Sequence, residues 1–251
     1  VQEKLGCLIP ADLHPRLDGK KPKQNPGAVA AASAVELCCG SWKLKLCEEH
    51  ALHERRPLPK GLVEFFLRVL EKVAQTLQLR VFFGNVGLAG RLGSEETAHD
   101  FLRTVRGWQS LSATHVRLAK DSQLLLLPVC RDTHEWSLLV VTAETAAAEL
   151  GFTTQREYLF LDRLGKETLA QTVVEKAQAL FSWDAMPSAG SKPSPKVETY
   201  GIVEDKRMSS TFMLGVIAQR LAQKAGMQTK LPTGGPEFLA AVQDGLAASF
   251  G

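Results

Sequence analysis

No uninterrupted apolar stretch of about 18 residues or more occurs in this sequence, so no membrane partner is expected. The opening residues VQEKLGCLIP lack the charged start, apolar middle and small-residue cleavage site of a secretory signal. The expectation is a soluble, intracellular, non-secreted protein; because the chain opens on Val1, processing at that end and residence in an organelle stay open. Cysteine is sparse and unpatterned. Cys7, Cys38, Cys39, Cys47 and Cys130 form an odd set with no CxxC spacing, and none follows Cys130, which argues against a disulfide framework, a zinc site or any other metal or cofactor. Charge of one sign is missing too: 30 Lys and Arg against 27 Asp and Glu, interspersed, leave a net +3, so nucleic acid is not expected as the primary partner. The glycine-rich GNVGLAGRLG (residues 84–93) has neither the lysine of a phosphate-binding loop nor dinucleotide spacing, and reads as a flexible loop. There is no internal repeat.

What is present suffices for one globular domain with tails: 251 residues, 45% hydrophobic and 23% charged. Residues 1–27, with Pro10, Pro15, Pro22, Pro26 and the basic GKKPK, read as an extended arm. The alanine-rich run after Gly27 predicts a short helix within 28–41, and WKLKL (42–46) alternates like an edge strand. Between Leu62 and Leu77, the spacing of Leu62, Phe65, Phe66, Val69, Leu70 and Val73 predicts an amphipathic helix. A second helix is expected from SEETAHDFLRTVRGWQ, with Ser94 as its cap. LLLLPVC, WSLLVVTA and YLFLDRL read as buried strands, KETLAQTVVEKAQALF as a helix, SAGSKPSPK as a loop and VETYGIVED as a fourth strand. SSTFMLGVIAQRLAQKAG predicts a helix capped by Ser209 or Ser210 and ended by Gly226; residues 227–251 read as a turn and a short amphipathic helix. This order is α+β.

The stretch LLLLPVCRDTHEWSLLVV resembles the Ulp/SENP family of ubiquitin-like-protein cysteine proteases. There an apolar strand leads through a short loop into a His-Trp-Ser-Leu strand, and YLFLDRL is similar to the next strand, which ends in the family's catalytic aspartate. The resemblance covers roughly residues 42–226 and implies a papain-like fold, with a central mixed sheet flanked by helices. It implies protein partners as well: other subunits of an assembly, or a ubiquitin-like protein of the SUMO or NEDD8 type.

A cysteine protease needs a thiolate, an imidazole beside it, a carboxylate to orient that imidazole, and donors aimed at the oxyanion. Matched to the family pattern, only the aspartate is kept, as Asp162, which can equally cap the turn that follows it. The histidine position is Glu135. His134 lies one residue earlier, where strand alternation turns it to the other face unless a β-bulge restores it. The nucleophile position is Ser210, flanked by Ser209 and Thr211, and the oxyanion glutamine falls at Glu204, whose carboxylate would repel the developing charge. Loss of one such donor costs about 3–4 kcal/mol of transition-state stabilisation. The substrate-cleft Trp-Leu-Asn-Asp positions read Pro57, Leu58, Pro59 and Lys60. Together these changes point to a pseudoprotease serving as a binding or structural module. Two other readings stand beside it: a hydrolase with a rearranged site using His134, Asp162 and either Ser210 or Cys130, and a non-catalytic receptor for a ubiquitin-like protein.

Overall fold

The computed structural model describes residues 36–39, 42–45, 58–105, 117–119, 121–132, 135–148, 151–181, 195–199 and 208–227. Five strands form its main sheet, in the order β3 (Val81–Phe83), β4 (Leu124–Cys130), β5 (Trp136–Ala148), β6 (Gly151–Asp162) and β7 (Lys196–Thr199). The β4–β5–β6 meander is antiparallel, whereas the edge strands β3 and β7 pair in parallel with β4 and β6. This is a mixed α+β sheet, as expected.

Side-chain alternation sorts the meander into two apolar layers. Leu124, Leu126, Trp136, Leu138, Val140 and Leu161 pack with α1 (Lys60–Thr76) and α5 (Ser209–Lys224). Leu125, Leu127, Val129, Leu139, Val141 and Phe160 pack instead with α2 (Val86–Leu92), α3 (Ala98–Val105) and α4 (Glu167–Phe181). Burial on both faces explains why β4 is a continuous apolar run. Pro128 is tolerated inside it because Leu126 O, facing β3, takes the last bond from Gly84 N. The nitrogen of Pro128 points the same way, beyond the end of β3, so no rung with that strand is lost.

The helix predicted from Leu62 to Leu77 is α1, whose buried stripe includes Leu62, Phe65, Phe66, Val69 and Val73; each large apolar side chain so buried contributes about 1.5–3 kcal/mol. Four expectations are corrected. The stretch GNVGLAGRLG is not a loop: Asn85 Oδ1 caps α2 by accepting Leu88 N at 2.8 Å, and Leu88, Ala89 and Leu92 bury one face, which outweighs the glycines. The next helix starts at Ala98, with Thr97 Oγ1 accepting Asp100 N, while Ser94 closes α2 by donating its hydroxyl to Arg91 O at 2.8 Å. Residues 36–39, the end of the helix expected over 28–41, form a strand β1 (Glu36–Cys39) paired antiparallel with β2 (Trp42–Lys45) across Gly40 and Ser41. Two residues of that type between strands favour a hairpin over helix propagation. Lastly, neither Ser209 nor Ser210 caps α5, since Met208 holds that position without a side-chain cap bond.

The expected C-terminal stop holds. Gly226 has φ +73°, and Met227 N donates to Ala222 O, which closes α5 in a left-handed cap. The arm over 1–27, the loop 188–196 up to Ser194, the end of the fourth expected strand from Tyr200, and the segment 228–251 lie outside the described residues.

Candidate functional site

Four chain segments converge at one end of the sheet: the end of β4, the start of β5, the end of β6 and the first turn of α5. Asp162 closes β6 and is fully buried. Its Oδ1 accepts the Ser137 hydroxyl at 2.6 Å and Arg131 Nη2 at 2.8 Å; its Oδ2 accepts Leu164 N at 3.1 Å and Lys166 N at 3.3 Å. A carboxylate offers about four lone-pair sites, so Asp162 is saturated by donors from its own turn, from β5 and from the residue after β4. The turn-capping role is therefore present, and the same oxygens also bind a cation.

Arg131 Nη2 lies 2.8 Å from Glu135 Oε1 as well, and Arg163 Nη2 approaches that oxygen at 3.4 Å. The guanidinium of Arg131 thus bridges the two carboxylates that the family pattern singles out, with only 14% of its side chain exposed. The connection is braced by Arg131 N donating to Glu135 O and by Glu135 N donating to Asp132 Oδ1 at 2.8 Å. A close approach from α2 fixes its start: a Cβ on Gly93 would overlap the Cys130 carbonyl. Coulomb attraction in such a half-dry setting is worth several times its value in water, but desolvation opposes it, so the pairing resists loss of one partner more than it stabilises the fold.

Ser210 is 1% exposed, between the equally buried Ser209 and Thr211. Ser209 Oγ accepts Trp136 N at 2.9 Å, which ties the first turn of α5 to the start of β5. Thr211 Oγ1 and Trp136 Nε1 are buried with no hydrogen-bond partner among the described residues. The Cys130 thiol is buried and donates to Asp132 O. Burial pushes its pKa up, Lys60 opposes this and Asp132 adds to it, so the thiolate needed of a nucleophile is disfavoured. Leu58 is buried in the α1 layer, Pro59 precedes α1, and Lys60 begins it with an exposed side chain. His134, Glu204 and Pro57 lie outside the described residues. Among the described residues no group of three or more His, Cys, Asp or Glu is placed to hold a metal ion, and no helix is long and apolar enough to cross a membrane.

Of the residues expected from sequence, Glu135 and Asp162 are joined through Arg131, and Ser210 sits one position beyond the serine that reaches β5. Arg131, Ser137 and Arg163 were not anticipated. The signal for Arg131 is its place directly after a buried strand, four residues before Glu135 across a short connection.

No protein-family profile matches the chain, and no curated protein matches it. Solved structures do. The yeast C-terminal Ulp1 protease domain, in complex with Smt3, the yeast ortholog of SUMO, is 12% identical; the match covers 87% of this chain and 88% of that one, with a TM-score of 0.58. The SUMO protease Ulp1 with its catalytic cysteine oxidised to a sulfinic acid is 11% identical over 88% of this chain and 89% of that one, with a TM-score of 0.54. At such identity the likeness is one of fold.

Proposed function

We propose that this chain is a non-catalytic relative of the Ulp/SENP proteases, in which residues 42–226 form the protease-like unit and serve as a binding or structural module, preceded by the basic arm 1–27. One observation carries the reading: the Asp162 carboxylate, which in the family orients the imidazole, is filled by Ser137, Arg131 and two main-chain donors. An imidazole would have to displace one of them. Ser210 and its neighbours support the reading, because a neutral hydroxyl buried in a helix turn lacks the thiol's nucleophilicity. The partners expected are protein subunits of a larger assembly.

The test is incubation of the full chain with SUMO and NEDD8 carrying C-terminal vinyl sulfone or fluorogenic groups. Neither adduct nor turnover is expected. An adduct on Ser210 or Cys130, or turnover lost in Asp162→Asn, would establish the rearranged hydrolase instead. Titration with unmodified SUMO and NEDD8 separates out the receptor reading, which saturable binding without turnover would support.

A further inference from the structure

Away from the sheet end, a cavity of about 630 Å³ runs along the outer edge of β3, within the size range of ligand clefts. Among the described residues β3 ends the strand order, with β4 on its other side. The main-chain groups of Arg80 and Gly84 turn to β4: Gln123 N and Leu124 N donate to Arg80 O, and Gly84 N donates to Leu126 O. By alternation those of Val81 and Phe83 turn outward, into the cavity. Val81 N is used by Leu79 O at 3.0 Å, which leaves Val81 O and the N–H and C=O of Phe83 facing the groove. Leu79, Val81, Phe83 and the 55%-exposed Leu118 add apolar surface.

The charges in the lining are matched with one exception. Arg68 is held by Glu64 at 3.2 Å and Glu71 at 2.8 Å, and Asp121 lies 3.9 Å from Arg117. Arg80 is exposed, and among the described residues its guanidinium has no ion-pair partner. An open strand edge recruits another strand; a helix has no spare main-chain donors or acceptors along its length to offer it.

We propose that the β3 edge is a docking groove for one extended peptide segment of a partner protein, joined to Val81–Phe83 by main-chain hydrogen bonds and carrying a carboxylate set against Arg80. This holds whether or not the sheet end is catalytic. The side chains lining the groove set the rest of the preference: alternate apolar residues toward Leu79, Val81, Phe83 and Leu118.

The experiment is selection of phage-displayed random twelve-residue peptides on the full chain, followed by anisotropy titration of the enriched peptides. Enrichment of acidic, alternating sequences is expected, with affinity lowered about tenfold or more in Arg80→Glu and unchanged in Lys224→Glu, whose side chain is exposed at the end of α5. N-methylation of one alternate set of peptide amides should abolish binding while the other set leaves it intact. No enrichment, indifference to Arg80→Glu, or equal tolerance of both N-methylated sets would overturn the proposal. Because Arg80 is exposed, circular dichroism is expected to show Arg80→Glu folded as the unsubstituted chain.

Discussion

Two cations, Arg131 largely buried and Lys176 fully so, are held by different means. At the sheet end, Arg131 is bound by the carboxylates of Asp162 and Glu135. On the α4 side of the sheet, Lys176 is fully buried and forms no ion pair among the described residues: its ammonium donates to Ser94 O at 2.6 Å, Ser94 Oγ at 3.2 Å, and Arg91 O and Leu92 O at 3.3 Å, and it lies 5.6 Å from the Phe101 ring centre. Those carbonyls end α2, where the helix dipole favours a positive charge. One cation is matched by full charges and the other is solvated by neutral oxygens. Charge pairing at the sheet end binds segments distant in sequence but leaves an uncompensated charge when one partner goes. Carbonyl solvation joins segments still further apart in sequence, α4 to the end of α2, spreads the cation over several neutral acceptors, and leaves it harder to keep protonated.

The largest effect is expected at the paired cation. Arg131→Met removes the partner of a buried carboxylate and should destabilise the chain by about 3–5 kcal/mol in urea titrations. Adding Asp162→Asn to it should recover more than half of that loss; additive losses would sink the charge-pairing account. Lys176→Met removes the buried charge together with its bonds and should cost less, about 1–3 kcal/mol, with an unfolding midpoint insensitive to salt. Smallest is a pH effect. Burial pushes the Lys176 pKa below its ordinary 10.5, with Glu96 opposing. Between that lowered value and 10.5 the unfolded chain holds a proton that the folded one has lost, so stability rises with pH across this alkaline window and falls as the pH drops through it. The unsubstituted chain should therefore gain stability relative to Lys176→Met over that window, and parallel pH profiles for the two would remove the assignment.

Most of the architecture was legible because periodicity reports burial. The apolar runs of β4, β5 and β6 and the stripe of α1 mark elements covered on two faces or one, and the left-handed glycine Gly226 marks a helix stop. Local competition hid the rest. In α2 the glycines read as breakers because burial of Leu88 and Leu92 is a tertiary gain invisible in a seven-residue window. Ser94 and Thr97 are both good caps, and the choice between them was made by the end of α2 and by Lys176. The site was half visible: comparison with the family pattern singled out Asp162 and Glu135, but their shared partner Arg131 lies 31 residues from Asp162, and Ser137 lies 25 from it. Spacing along the chain carries no trace of the two pairings with Asp162.

The layer of α5 over Trp136, Leu138 and Val140 has a consequence for synthesis. The meander can close as soon as β6 is made, but part of the cover for one of its faces is built from residues 209–224. At 5–20 residues per second the ribosome needs roughly 2–10 s to go from the end of β6 to the start of α5. For that interval a nascent chain holds that face of the meander under α1 alone, the stage at which holdase chaperones would find most to grip.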